Sequence, residues 1–223
     1  MNKKKEIYHD IKQNCDIILN LLKNFKADNK TPEGRMIYQC RWLKEQVVTN
    51  LLPLPTKEYV HTLNYISGEG LLDHIANSKQ KEWQEIGVYL YRLVVLVDNK
   101  LVIKKQYYPA TINMIDSIIY LLNHSSRALS EYEHGMLPEL EKLKSQLSEG
   151  KIEPPLQSYL PDYPNFRKVY RLYESTIDDL PNGKYLCETV ASLIFEGIRP
   201  DSWLTPEDAD KESQKLLDGV IQI

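Results

Sequence analysis

The sequence predicts an all-α protein, an irregular multi-helix bundle of roughly seven to nine helices. Three observations carry that reading. Apolar residues recur at steps of three and four along most of the chain. Hydroxyl or acidic cap signals stand just ahead of several of those stripes. No internal repeat period and no sustained two-residue alternation compete with them.

The first helix is read over residues 5–26, where Ile7, Ile11, Cys15, Ile18, Leu22 and Phe25 fall on one stripe. Thr31-Pro32-Glu33 then reads as N-cap, first-position proline and first-turn acid. The helix it opens carries Met36, Cys40, Leu43, Val47 and Leu51 on one face and stops at Pro53-Leu54-Pro55. Thr56 caps a third, shorter helix that Gly68-Glu69-Gly70 ends, and 71–77 holds one or two turns more. After Ser78 the stripe Trp83, Ile86, Leu90, Leu93 and Val97 predicts a helix through about Val97. The β-branched residues flanking Asp98-Asn99 leave a hairpin over 94–104 as the competing reading.

Ile112, Ile115, Ile119 and Leu122 form the stripe after Pro109. Ser130-Glu131-Tyr132-Glu133 matches the capping box, with a hydroxyl at the cap and a glutamate three residues on. Leu137, Leu140, Leu143 and Leu147 continue it to a C-cap at Gly150, and Pro138 predicts a restart or a kink. A short helix is read over Phe166, Val169, Tyr170 and Tyr173, then a turn at 179–183. Leu186, Val190, Leu193 and Ile194 make the last clear stripe. Thr205-Pro206-Glu207-Asp208 opens a terminal, mostly polar helix.

Residues 152–166 break the pattern, with four prolines and three aromatics in that stretch. Prolines so close cannot lie inside a helix, since each lacks an N–H and clashes with the turn before it. Leu156, Tyr159, Leu160, Tyr163 and Phe166 are too apolar for a solvated linker. An ordered, packed loop is therefore expected at 152–166. The chain reads as one helical domain over 1–223, or as 1–150 and 167–223 joined by the 151–166 segment.

Composition narrows the function classes. The chain has 42% hydrophobic and 26% charged residues, ordinary for a soluble globular protein. Cys15, Cys40 and Cys187 are far apart and make no Cys-x-x-Cys motif, so reduced thiols in a cytoplasmic protein are expected. Lys3, Lys4 and Lys5 are followed by no apolar signal core, and no apolar run is long enough to span a bilayer. Lysine outnumbers arginine 21 to 7, a bias that fits a bacterial source with an AT-rich genome.

Charge is uneven. Residues 1–30 hold seven lysines against Glu6, Asp10, Asp16 and Asp28. Residues 174–223 hold eleven acids against Lys184, Arg199, Lys211 and Lys215. The acidic end argues against nucleic acid there and for a basic protein partner.

Catalytic signatures are missing from the sequence. Gly-x-x-x-x-Gly-Lys, Gly-x-Gly-x-x-Gly, Gly-x-Ser-x-Gly and His-Glu-x-x-His do not occur. Two Glu-x-x-His motifs, Glu58/His61 and Glu131/His134, have the spacing of a helical di-metal site, with Glu45 and Glu82 or Glu85 as further ligands. Both motifs fall in the first turn of a helix, where acids face the backbone N–H groups instead. No metal, cofactor or catalytic residue is therefore assigned, and a metal-dependent enzyme is the alternative. Asp208-Ala209-Asp210 begins like a calcium loop but lacks the glycine at the sixth position. Arg167, Lys168 and Arg171 interleave with aromatics and give a nucleic-acid-associated regulator as the second alternative.

The leading expectation is a non-catalytic protein that binds another protein, such as a bacterial immunity protein or antitoxin occluding a basic toxin. Fifteen tyrosines against three phenylalanines favour interface chemistry. Tyr159, Tyr163 and Trp203 are the expected anchors. Asp162, Asp201, Glu207, Asp208 and Asp210 are the expected charged rim.

Overall fold

The computed structural model describes residues 2–26, 28, 30–56, 81–156, 162–166 and 182–221. Among the described residues it is mostly helical, 71% helix against 2% strand, and the all-α multi-helix bundle is the fold. The helix read after Thr56, the turns at 71–77 and the helix read beyond Phe166 lie outside the described residues. The chain divides into two compact units, Met1–Val102 and Ile103–Ile223. The described residues of the 151–166 segment belong to the second of these units.

In the first unit, α1 (Lys3–Leu21) begins where the Asn2 side chain accepts from the Lys4 N–H at 3.0 Å. It ends at Leu21, short of the expected residue 26. Leu22 is still buried, but Phe25 is 47% exposed and meets the Trp83 ring edge-on. α2 (Pro32–Val48) starts at the expected cap: the Thr31 hydroxyl accepts from the Gly34 N–H at 3.1 Å. Gly34 is required there, because a Cβ would lie 1.9 Å from the Asp28 carbonyl oxygen.

α2 stops before its prolines. Asn50 takes a left-handed φ of 59°, and the Leu51 N–H returns to the Gln46 carbonyl at 2.9 Å. That turn puts Leu51 in solvent, against its place on the predicted stripe, and buries Leu52 in its stead. α3 (Lys81–Val97) runs to the predicted end. Asn99, at φ 61°, lets the Lys100 N–H close on the Val95 carbonyl. This helix C-cap rules out the hairpin, and β1 is a two-residue strand, Leu101–Val102.

The second unit opens with a 3₁₀ turn, Lys105–Tyr107, that leads into α4 (Tyr108–Asn123) with Pro109 near its start. α5 (Glu131–Ser148) carries the full capping box: Glu133 N–H to the Ser130 hydroxyl, and Ser130 N–H to the Glu133 carboxylate at 2.8 Å. It continues through Pro138 without the expected restart. Pro138 is solvent-exposed, as is His134, whose carbonyl loses its intrahelical donor to the proline ring. α6 (Gly183–Ala191) runs on into a π-helical turn, Ser192–Glu196, then β2 (Ile198–Arg199) and α7 (Pro206–Ile221).

One apolar core fills this unit, with Met114, Ile118, Met136, Leu140, Leu193 and Trp203 among its fully buried members. The described parts of the proline segment belong to it. Leu156 is fully buried and its N–H donates to the Ile194 carbonyl at 2.9 Å. The Glu139 carboxylate of α5 accepts from the Asn165 N–H, the Asn165 amide and the Phe166 N–H. Tyr163 donates to Gln146 at 2.6 Å. Proline removes local hydrogen bonds, so this segment is held by side chains of a helix instead.

Candidate protein-binding surface

The acidic C-terminal region is built on the stretch from β2 into α7. After Arg199 the chain turns, and the Trp203 N–H donates to the Pro200 carbonyl at 3.1 Å. The turn drives Trp203 inward to full burial and leaves Leu204 outward, 47% exposed. Trp203 stacks on Tyr107 at 6.3 Å between ring centroids, and the buried Arg199 guanidinium lies 4.2 Å over the same tyrosine ring. The Tyr107 hydroxyl donates to the Leu204 carbonyl at 3.2 Å, fixing the turn from below.

α7 then begins with a reciprocal cap. Asp208 N–H donates to the Thr205 hydroxyl, while the Thr205 N–H and hydroxyl donate to the Asp208 carboxylate at 3.0 and 2.9 Å. This ordinary helix start accounts for the acids that imitate a calcium loop. Further along, Ser213 is buried against Asn113 of α4. Tyr185 of α6 donates to Glu212 at 2.9 Å, and burial, with Glu212 second, pushes its hydroxyl pKa up.

The expected interface residues separate into three groups. Tyr163 and Trp203 correct the sequence reading: both are core side chains, at 2% and 0% exposure, and neither is available as a surface anchor. Their size and apolar area are spent on holding the 162–166 strap and the 200–204 turn. Asp162, Asp201, Glu207 and Asp210 are exposed, whereas Asp208 is half-buried and occupied by the cap. Tyr159 lies outside the described residues.

Asp201, Leu204, Glu207 and Asp210 are therefore the exposed large or charged side chains of the 201–210 stretch, three carboxylates and one large apolar residue close in sequence. Leu204 was missed in the sequence. Its only signal is its place directly after Trp203, which says nothing of which neighbour turns inward. An open groove between α4 and α7 adjoins this stretch through Asp210 and is lined by Pro109, Asn113, Lys211 and Gln214.

The metal-type motifs are placed as follows. Glu131 and His134 both lie exposed on the first turn of α5. Glu58, His61, Arg167, Lys168 and Arg171 lie outside the described residues. Among the described residues there is no cluster of three His, Cys, Asp or Glu groups placed to hold a metal, and no helix long and apolar enough to cross a membrane. No family model, curated protein or solved structure matches the chain.

Proposed function

We propose that this chain is a non-catalytic binding protein whose partner is a basic protein. The concrete form is a bacterial immunity protein or antitoxin of the cytoplasm, acting by covering a toxin's active site. One observation carries the reading: Leu204 is exposed beside the buried Trp203 on the turn, with exposed Asp201 before it and exposed Glu207 and Asp210 on the first turns of α7 after it. Exposed carboxylates steer a cationic partner, and a lone exposed apolar side chain close to them in sequence is an anchor candidate. The buried Trp203–Tyr107 stack pre-organises the turn, which lowers the ordering cost of association. The role that Trp203 loses as an anchor becomes a role as support.

The test is co-purification from the native host, followed by kinetics with two variants. Charge reversal at Asp201, Glu207 and Asp210 together is expected to slow association tenfold or more at low salt, an order of magnitude typical of steering. Leu204→Ala is expected to shorten the lifetime of the complex. A partner whose binding ignores both variants, or recovery of no protein partner, defeats the proposal.

A further inference from the structure

In the first unit α1 and α2 run antiparallel. Tyr8, early in α1, donates to the Leu52 carbonyl beyond the end of α2. Asp16, two turns further along α1, pairs with Lys44 of α2 at 2.5 Å. Cys15 precedes Asp16, and Cys40 lies one turn before Lys44. These two contacts mark an antiparallel register in which Cys15 and Cys40 stand opposite each other across the α1–α2 packing, near enough for the Cys40 thiol to act on that of Cys15. Both are fully buried and both are free. Packing explains one small residue at a helix crossing; it does not require two thiols in contact.

We propose that Cys15 and Cys40 are a redox pair, converted by a small disulfide of the glutathione type into a disulfide that ties α1 to α2. The chemistry balances in two exchanges. One protein thiol gives its proton to solvent and its thiolate attacks a sulfur of the small disulfide. That bond breaks, one small thiolate leaves, and a mixed disulfide forms. The second protein thiolate then attacks the protein sulfur of the mixed disulfide, closing the Cys15–Cys40 bond and expelling the second small thiolate. Two protein thiols lose two electrons, the small disulfide gains them, and the two released protons end on the two small thiols.

The pair is inert while the helices are closed. The hydrogen bond to Cys40, then burial, pushes the Cys15 thiol pKa up, so little thiolate exists in place. Oxidation therefore follows opening of α1 from α2, and once one cysteine is captured the other is close enough for closure to outrun a second capture. Cys187, also buried but in the other unit, has no second cysteine within that unit and serves as an internal control.

The experiment uses the full chain, reduced and then equilibrated with oxidised glutathione at rising ratios, with and without mild urea. Remaining thiols are alkylated, and intact mass and peptide maps are read. The expected product has lost two hydrogens, contains a cross-linked α1–α2 peptide pair, and reverts with reductant. Urea below the unfolding transition is expected to speed its formation, and the oxidised form is expected to unfold at a higher urea midpoint. Cys15→Ala and Cys40→Ala should each give a glutathione adduct or no product at the remaining position. Glutathione adducts at both cysteines in the unaltered chain, a cross-link between two chains, or unreacted thiols at every ratio would each overturn the proposal.

Discussion

Replacing Glu133 with Gln tests the electrostatics of the α5 start. Glu133 is fully buried, and that burial by itself would raise its carboxyl pKa. It is outweighed by the Arg127 guanidinium at 2.6 and 3.0 Å, the Ser130 N–H, the Ser130 hydroxyl and the Arg127 charge. The carboxyl is held at about 2, down from an ordinary 4.5. Because the folded value is depressed, the stabilisation is present above the unfolded value and is lost as pH falls through the folded one. At ~1.4 kcal/mol per unit, the charged form is worth at most about 3.5 kcal/mol at neutral pH, about 1.4 at pH 3 and under about 0.5 at pH 2.

Gln keeps an acceptor for the Ser130 N–H but has no charge for Arg127 and no proton to lose. Urea unfolding of both proteins between pH 7 and pH 3 is the assay. A deficit of roughly 2–3 kcal/mol for Glu133→Gln is expected at pH 7, falling by about half at pH 3. A deficit below about 0.5 kcal/mol at neutral pH would refute the reasoning, and so would one that stays constant down to pH 3.

Two further changes probe the core that supports the proposed surface. Gly135→Ala would bring a Cβ to 2.5 Å from the Asn165 side chain, so that side chain and its bond to Glu139 must give way; we expect a loss of about 1–3 kcal/mol and faster amide exchange at Asn165 and Phe166, and no change in exchange there would contradict the contact. Trp203→Ala should cost roughly 3–5 kcal/mol in thermal or urea unfolding. Trp203→Phe should cost markedly less, because the buried indole N–H has no hydrogen-bond acceptor among the described residues and its removal forfeits no such bond. Equal losses for the two variants would show that the indole is held by more than its area.

Much of the fold was legible because its signals are local. The Thr31, Ser130 and Thr205 caps depend on residues three apart, and each forms as read. The α1 and α2 stripes depend on spacing, and their members from Ile7 to Leu22 and from Met36 to Val47 are buried. Failures cluster where one residue's conformation redirects the chain. Asn50 ends α2 ahead of the prolines by taking a left-handed φ, which no stripe reveals. Pro138 sits inside an intact helix because its missing donor falls on an exposed face. The strap at 162–166 was expected to pack, but its anchor, Glu139, is 26 residues away in sequence and looked like any surface acid.

The same limit governs the candidate site. A tyrosine-rich chain reads as an interface, since the ring is apolar and the hydroxyl tolerates water. In the structure several hydroxyls bind across elements instead: Tyr107 to Leu204, Tyr163 to Gln146, Tyr185 to Glu212 and Tyr8 to Leu52. Phenylalanine in those places would fill the volume but leave the carbonyl, amide or carboxylate it faces without that donor. The skew toward tyrosine is thus satisfied within the molecule at these positions. What remains for a partner is a smaller exposed set, Asp201 and Leu204 on the turn after Pro200 and Glu207 and Asp210 at the start of α7. Which of Trp203 and Leu204 faces solvent is settled by one backbone hydrogen bond and by the Tyr107 ring, 96 residues before Trp203 in the chain. No window of sequence around the turn contains that ring, so the surface becomes readable only once the core beneath it is known.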